Sequence, residues 1–176
     1  ATEADSEVVE RIHVALDTQK CLPAEHLVDS GYGSGAAFVT SQEKYAVDLF
    51  GPSRPDMSWQ AQTEGAFDIS HFQIDFEQRL VTCPQGRLST HWYERTDSRG
   101  KPAILVKFPD KVCRACPVRE RCTTSQKGRQ VGFIPEPAFS ALQSARQREQ
   151  TDTFKQAYRR RSGIEGTISH AVGVLG

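Results

Sequence analysis

The chain has 176 residues, which is enough for one hydrophobic core and a small additional module. Hydrophobic residues make up 38% of the chain and charged residues 25%, values typical of a soluble globular protein. No apolar run approaches the roughly 18 residues of a membrane-spanning helix, and residues 1–10 lack the basic and then apolar pattern of a secretory signal. We therefore expect a cytoplasmic protein without membrane contacts.

The net charge of zero hides an asymmetry along the chain. Residues 1–80 contain 5 Lys or Arg and 14 Asp or Glu, whereas residues 81–176 contain 17 and 8. The basic half is compatible with a polyanionic partner such as DNA. The alternative interpretation is that the segregated charges only solvate two faces of the molecule.

Hydrophobic spacing predicts the elements of the first fifty residues. Residues 6–18 have the periodicity of an amphipathic helix. Residues 26–28 form a short apolar run that ends in Asp29 and a glycine-rich turn, the pattern of a strand. A helix over residues 35–44 and a second strand over residues 45–50 are expected to follow.

Residues 51–137 differ in composition from both flanks. They contain eight of the nine prolines, both tryptophans and four of the five cysteines. Short β-like pieces at residues 72–76 and 104–108 predict a separate, mostly β insertion. From residue 138 the pattern is helical again, with Gly163 as the first expected break.

The cysteines of this insertion have the spacing of a metal site. Cys83 opens a Cys-Pro-x-Gly turn, and Cys113, Cys116 and Cys122 follow in the run CRACPVRERC. Two thiolates three positions apart can bind one tetrahedral ion, and two more complete a structural zinc site. An iron–sulfur cluster, or reduced cysteines packed as small core residues, are the alternatives. Cys21 stands apart and is expected to be a core or surface thiol.

The last predicted helix carries a second candidate constellation. Tyr158, Arg161 and Glu165 are three and four positions apart, so they share one helix face. A carboxylate held beside an arginine and a tyrosine stays ionised, as a catalytic metal ligand must. An ordinary surface Arg–Glu pair is the alternative. Asp29, between a strand and a glycine-rich turn, is a further candidate ligand, although such an aspartate often only caps the next helix.

In chain order, four segments resemble insertion-sequence transposases of the DDE class: HLVDSGYGSG, VTCPQG, CRACPVRERCT and FKQAYRRRSGIEGTIS. The resemblance spans about residues 5–172 and implies an α/β (α+β) fold. This fold is an RNase H-like core, incomplete at its N-terminal side, with a mostly β, Cys-rich insertion. The implied domains are a partial core (residues 1–50), a probable zinc-binding insertion (51–137) and the C-terminal catalytic helix (138–176).

The resemblance implies DNA strand cleavage and strand transfer by a metal-dependent transposase. It assigns Asp29 as the second catalytic aspartate and Glu165 as the catalytic glutamate, with Tyr158 and Arg161 supporting Glu165. Three carboxylates of this class hold Mg²⁺ or Mn²⁺ at the scissile phosphate, distinct from zinc at the cysteines. The first aspartate is expected upstream of residue 1, so we expect residues 1–176 alone to be inactive.

The partner implied by the resemblance is double-stranded DNA, both the inverted-repeat ends of the element and the target, bound by a homodimer. Lys155, Arg159 and Arg160 are expected to contact the DNA backbone. Trp59 and Trp92 are expected to pack within the insertion, and stacking on an unpaired base is the alternative.

A second function from another class is compatible with the same sequence. A non-enzymatic, zinc-stabilised DNA-binding module, for example a domesticated or decayed transposase remnant, would share the basic half and the four cysteines. It would not require the carboxylates.

Overall fold

A computed structural model describes residues 5–159 of the chain. The helices are α1 (Asp5–Thr18), α2 (Gly35–Tyr45), α3 (Trp59–Gln62), α4 (Asp110–Arg114), α5 (Glu136–Glu149) and α6 (Asp152–Tyr158). The strands are β1 (Glu25–Leu27), β2 (Asp48–Phe50), β3 (Gln73–Asp75), β4 (Leu80–Thr82), β5 (His91–Thr96), β6 (Pro102–Lys107) and β7 (Gln130–Phe133). Short 3-10 turns lie at Ile69–His71 and Arg119–Arg121.

The described residues form two compact units, each of which mixes helices with small sheets. Asp56–Glu136 makes up one of them, here called the cysteine-rich unit. The described residues before Asp56 and after Glu136 make up the other, here called the terminal unit. This composition confirms an α+β chain. No helix within residues 5–159 has the length and apolarity needed to cross a bilayer.

The sheet of the terminal unit consists of two parallel strands joined by a helix. In the register of β1 and β2, His26 lies opposite Leu49. The backbone N–H of Val28 extends this ladder by donating to the carbonyl of Phe50 at 2.9 Å. Parallel strands require a crossover connection, and α2 supplies it. The Ser34 hydroxyl caps this helix by accepting from the N–H of Ala37 at 3.2 Å.

The core of the terminal unit draws on both ends of the described chain. Val9 of α1, Phe38 of α2, Leu49 of β2 and Ala145 of α5 are buried together. Burial of apolar area is the main favourable term in folding. The two segments that flank the cysteine-rich unit in sequence therefore stabilise one another.

The structure confirms the predicted helices over residues 6–18 and 35–44 and shortens the strand predicted over 45–50. Helix α2 continues to Tyr45, and Ala46 adopts the left-handed region with φ 54°. The N–H of Ala46 then bonds back to the last turn of the helix, which satisfies orphan carbonyls there. The extended backbone consequently begins only after this cap.

The helical region expected to run from residue 138 to Gly163 breaks earlier. Helix α5 ends at Glu149, and Thr151 begins a new helix, because its hydroxyl accepts from the N–H of Phe154 at 3.2 Å. A threonine in this role satisfies an otherwise orphaned donor of the first helical turn.

The cysteine-rich unit contains an antiparallel hairpin, β3–β4, and an antiparallel sheet in the order β5–β6–β7. Buried apolar residues of these strands and the adjoining loops form its interior: Phe72, Val81, Ile104, Val106, Phe108, Val131 and Phe133. The strands predicted at residues 72–76 and 104–108 are confirmed as β3 and part of β6. Trp92 packs edge-on against Phe133, with ring centroids 5.3 Å apart, as expected for a packed tryptophan.

A histidine pair connects α1 to β1. The His13 ring is fully buried, and its Nε2 lies 2.9 Å from Nδ1 of His26. Burial and then the neighbouring His26 lower the pKa of His13, and burial lowers the pKa of His26. The folded protein therefore resists protonation of either ring.

We expect the stability of the terminal unit to decrease as the pH falls below about 6.5, the ordinary histidine pKa. In this range the unfolded chain binds protons that the folded chain, with its lowered histidine pKa values, still refuses. Urea unfolding followed by circular dichroism at several pH values measures this slope. His13→Gln combined with His26→Gln should flatten it, whereas His91→Gln, at an exposed ring, should not. An unchanged slope in the double variant would contradict the assignment.

Candidate functional site

Asp29 lies directly after the last ladder bond of β1, at the edge of the sheet where both parallel strands end. Its Oδ1 accepts a hydrogen bond from the N–H of Gly31 at 2.9 Å, and its carbonyl accepts from the N–H of Tyr32 at 3.1 Å. The half-buried carboxylate thus organises its own turn. Such edges of parallel sheets are where polar ligands collect.

A second loop, residues 51–54 after β2, packs against the Asp29 turn. A Cβ atom at Gly33 would overlap the carbonyl of Pro52, and a Cβ at Gly51 would overlap the carbonyl of Val28. Only glycine permits backbones to approach so closely. The guanidinium of Arg54 also donates to the carbonyl of Gly31, from Nε at 2.9 Å and from Nη2 at 2.6 Å. The guanidinium of Arg54 is therefore bound to the Asp29 turn, at a residue two positions after Asp29 in the sequence.

The last turn of helix α5 contacts β2 and the loop that follows it. Arg148 donates two hydrogen bonds from Nη1 to the carboxylate of Asp48, at 2.9 and 2.8 Å, and one from Nη2 to the carbonyl of Leu49 at 3.0 Å. Its guanidinium also lies 4.9 Å above the ring of Phe50. The next residue, Glu149, accepts the N–H of Ser53 at 2.7 Å. These contacts fix the end of α5 to β2 and its loop.

Aromatic stacking carries the attachment into α6. The ring of Phe50 stacks on Phe154 with centroids 4.7 Å apart, and Phe154 stacks on Tyr158 at 5.7 Å with an interplanar angle of 7°. Tyr158 is therefore linked to the last residue of β2 by one intervening ring. On the same helix, Lys155 lies 3.7 Å from Asp152 in an exposed ion pair.

The predicted site residues are only partly covered by the structure. Asp29, Tyr158, Lys155 and the exposed Arg159 are described, and Asp29 and Tyr158 belong to elements attached to the same strand pair. Glu165, Arg160 and Arg161 lie outside residues 5–159. The roles predicted for all of these residues stay predictions.

Sequence analysis missed Arg54, Arg148 and Glu149. Each is a charged residue in a polar stretch, where solvation is the ordinary interpretation. The partner of Arg148 is 100 positions away and that of Glu149 is 96. No local pattern reveals such pairs.

In the cysteine-rich unit, the local geometry around Cys83 is that of the predicted turn. The carbonyl of Cys83 accepts from the N–H of Gly86 at 2.8 Å, and Gly86 has φ +70°, a conformation that favours glycine. The N–H of Cys83 donates to the carbonyl of Arg87 at 2.9 Å. Cys83, the first residue after β4, therefore begins a tight hydrogen-bonded turn.

The other three cysteines lie in the segment that follows β6, with Cys113 on α4 and Cys116 and Cys122 beyond the end of that helix. The N–H of Cys116 donates to the carbonyl of Cys113 at 3.3 Å, and Cys122 follows the 3-10 turn Arg119–Arg121. The side-chain amide of buried Gln60 donates to the carbonyl of Cys122 at 3.0 Å and fixes this loop. The backbone N–H of Arg129 donates to the Cys113 sulfur at 3.4 Å, the kind of bond that thiolates accept.

These four cysteines line a single cavity of about 590 Å³. All four thiols are free and half-buried, whereas Cys21 is exposed and belongs to the terminal unit. Basic side chains line the cavity together with the sulfurs: Arg87, Lys111, Arg119 and Arg129. Their positive charge would offset the negative charge of a thiolate cluster.

The pKa of Cys122 is raised to about 11, chiefly by burial; Arg129 opposes this rise, and the other three thiols contribute to it. Burial also lowers the pKa of Arg129, whose Nε is buried without a hydrogen-bond partner. The Cys122 sulfur is therefore protonated at neutral pH unless a cation displaces the proton.

The donor set around this cavity fits a metal ion better than the arrangement of the donors does. Four thiols on one cavity are the chemistry that Zn²⁺ prefers. However, within residues 5–159 no three His, Cys, Asp or Glu side chains are already arranged to hold an ion. A metal would have to draw the four sulfurs together. The turn at Cys83 and the short helix at Cys113 fix only the backbone around each of these two residues.

We expect Arg148→Met to destabilise the terminal unit by about 1–2 kcal/mol, because it removes charge-assisted hydrogen bonds from a half-exposed pair. Urea unfolding followed by circular dichroism measures this loss. Arg146→Met is the matched control, because Arg146, on the same helix, donates a long hydrogen bond of 3.4 Å to the carbonyl of Arg54. Equal effects of the two substitutions would show that the Asp48 contact is not the stabilising element.

Comparison with known proteins places the chain in a family. A family model described as Transposase DDE domain matches residues 82–176, which is more than half of the chain. The match covers the four cysteines, α5, α6 and the positions of Tyr158, Arg161 and Glu165, and it begins after Asp29. No curated protein and no solved structure matches. The chain belongs to the transposase DDE domain family.

Proposed function

We propose that the terminal unit is the carboxyl-terminal part of an RNase H-like catalytic core that cuts and joins DNA strands. The proposal takes Asp29 and Glu165 as two carboxylates that share a divalent cation, Mg²⁺ or Mn²⁺. Members of the DDE family use such ions. When bound, such an ion would supply Lewis-acid stabilisation of the charge that develops at the scissile phosphate and would activate the attacking oxygen.

The observation that carries the proposal is the position of Asp29. It follows a strand that is parallel to its neighbour, and the crossover helix α2 begins six residues later. Arg54 and the two glycine contacts fix the turn, so the carboxylate is held on a rigid edge. Preorganised carboxylates bind a metal without the cost of ordering flexible side chains.

The second support is the attachment of α5 and α6 to β2. Arg148 and Glu149 connect α5 to this strand and to the loop after it, and Phe154 connects α6 to the strand's last ring. Glu165 follows Tyr158 by seven positions. In the proposal, this chain of contacts directs Glu165 toward Asp29, while Arg161 keeps Glu165 ionised.

The proposed substrate is double-stranded DNA, namely the inverted-repeat ends of an insertion sequence and a target, bound by a homodimer. Lys155, Arg159 and Arg160, which precede Glu165 in the sequence, are proposed to contact phosphates. Arg159 is exposed, and the carboxylate that Lys155 approaches, at 3.7 Å, is on a highly exposed Asp152. Exposed pairs of this kind are weak and can be replaced by a phosphate.

Iron-mediated backbone cleavage tests the shared cation directly. With added hydrogen peroxide as the oxidant and ascorbate to regenerate Fe²⁺, iron substituted at a Mg²⁺ site generates hydroxyl radicals that cut the chain near the ligands. We expect cuts near both Asp29 and Glu165 in the 176-residue chain, both suppressed by excess Mg²⁺. Because a shared ion needs both ligands, Asp29→Asn should also abolish the cut near Glu165, and Glu165→Gln should abolish the cut near Asp29.

Asp75→Asn, at an exposed carboxylate of the cysteine-rich unit, is the control and should leave both cuts unchanged. Cuts that arise near only one of the two carboxylates, or that survive removal of the other, would overturn the proposal. Iron bound by the cysteines is distinguished by cuts near Cys113 that Mg²⁺ does not suppress.

We further propose that Cys83, Cys113, Cys116 and Cys122 bind one structural Zn²⁺. What supports this is the single cavity that the four free thiols line, with basic side chains around it. Binding would remove the proton that Cys122, with its pKa of about 11, otherwise keeps, so zinc affinity should fall in acid. The resulting site would brace the loops on either side of β5 and β6.

The zinc proposal predicts one zinc ion per purified chain and a characteristic pattern of thiol reactivity. In the zinc-bound protein, alkylation should modify the exposed Cys21 quickly and the other four slowly. A chelator with denaturant should make all five reactive. Cys113→Ser should lower the zinc content, and Cys21→Ser should not. Reduced, folded protein without zinc and with five equally reactive thiols would contradict the site.

The second candidate function is a zinc-stabilised DNA-binding module without catalysis. The four basic side chains of the cysteine cavity favour it, because they need no carboxylate partner to contact DNA. Under this alternative the Mg²⁺-suppressible iron cuts are absent. Salt-sensitive DNA binding would then persist in Asp29→Ala and Glu165→Gln.

A further inference from the structure

One side of the sheet β5–β6–β7 presents aromatic and basic side chains together. Trp92 lies on the side that packs against Phe76 and Phe133, so its neighbours on β5 lie on the opposite side. The cross-strand register assigns positions of β6 and β7 to that same side. We call this surface the outer face and define it by its six residues on the paired strands β5 and β6: His91, Tyr93, Arg95, Ala103, Leu105 and Lys107.

The aromatic pair of the outer face is ordered but not buried. The rings of His91 and Tyr93 are nearly parallel, at 9°, with centroids 5.6 Å apart, and Tyr93 is 44% exposed. The hydroxyl of Thr90 lies 2.9 Å from Nδ1 of His91 and holds that ring. One face of Tyr93 is therefore covered by His91, and the stack can be continued on its other side.

The strand leaves space for one flat group beyond Tyr93. Arg95 follows two residues later on the same face, about 6.6 Å along the strand, which is roughly twice the 3.4 Å spacing of stacked bases. On β6, the strand that adjoins β5, the same side carries Leu105 opposite Tyr93 and only the small Ala103 opposite Arg95. A base inserted here would stack between a phenol ring and a guanidinium plane, both of which bind bases.

The charge of the outer face is of one sign. Arg95 and Lys107 are basic, and the described strand positions on this face include no Asp or Glu. By contrast, Glu94 lies on the opposite side of β5 and pairs with Arg79 at 3.2 Å. The acidic residue of the strand is thus kept away from the outer face, which favours a polyanionic ligand.

We propose that the outer face binds single-stranded DNA, with an unpaired base stacked on Tyr93 and with phosphates beside Arg95 and Lys107. The choice of DNA rests on the family of the chain. The surface itself is independent of Asp29 and Glu165, so it stands whether or not those residues share a cation. A protein partner fits less well, because Leu105 is the only large aliphatic residue among the six.

The experiment measures the fluorescence anisotropy of a labelled oligodeoxythymidine bound by the 176-residue chain, with a duplex of equal length for comparison. Single-stranded DNA should bind more tightly than the duplex. Tyr93→Ala should weaken its binding about ten-fold, as expected for loss of one stacked base. Tyr93→Phe, which keeps the ring, should retain it. Arg95→Gln should lower the salt dependence of log K by about 0.7.

Two matched controls separate the outer face from general effects. Arg79→Gln removes the same charge from the opposite side of the sheet and should not change the salt dependence. Trp59→Ala removes a ring that is 38% exposed on α3 and should not change the affinity. Photocrosslinking of a bromodeoxyuridine strand to the unaltered chain should label the peptide that contains Tyr93, and this readout does not depend on the folding of any variant.

The proposal is overturned if Tyr93→Ala binds as the unaltered chain does, if Arg79→Gln and Arg95→Gln act equally, or if the crosslink maps elsewhere. It is also overturned if the chain self-associates and Tyr93→Ala abolishes this association without affecting DNA binding. That result would identify the outer face as an interface between copies. None of these outcomes bears on the iron cleavage pattern at Asp29 and Glu165.

Discussion

Arg148 contacts three successive residues of one short strand. It binds the carboxylate of Asp48 with two hydrogen bonds and the carbonyl of Leu49 with a third, and its guanidinium covers the ring of Phe50. The strand has only three residues, so this one side chain engages its whole length. Because the whole cysteine-rich unit intervenes in sequence, the return of the chain to β2 depends on such long-range contacts.

The turn at Asp29 depends on the same attachment of α5 to β2. Glu149, adjacent to Arg148, accepts the N–H of Ser53, and this loop packs on the Asp29 turn where Gly33 and Gly51 allow backbone contact. Weakening the Arg148 contacts would therefore also loosen the Asp29 turn, because the loop after β2 connects the two, although the two side chains are on different elements. These contacts attach the segment that follows the cysteine-rich unit to the loop that packs on the Asp29 turn.

The sequence was informative where local physics decides the structure. The periodicity of α1 predicts that helix, and the Cys-Pro-x-Gly spacing predicts the turn at Cys83. It failed where a polar residue had two possible roles. Thr151 fits a continuous helix as well as a cap, and only the folded chain shows that its hydroxyl caps α6. Pairs such as Arg148 with Asp48 were out of reach because their separation of 100 residues leaves no periodic signal.

The charge asymmetry of the sequence does not survive folding as a simple division. The terminal unit combines the acidic first segment with α5 and α6, and the Asp48–Arg148 pair joins a carboxylate of that segment to a basic side chain of α5. Linear charge blocks are therefore a poor guide to the surface that a polyanion meets. What remains available is decided by which basic residues lack acidic neighbours on their own face, and on β5 the strand alternation separates Glu94 from Arg95. The alternation of side chains along β5, and not the overall composition, therefore produces an outer face whose charges are all positive, beside the exposed ring of Tyr93.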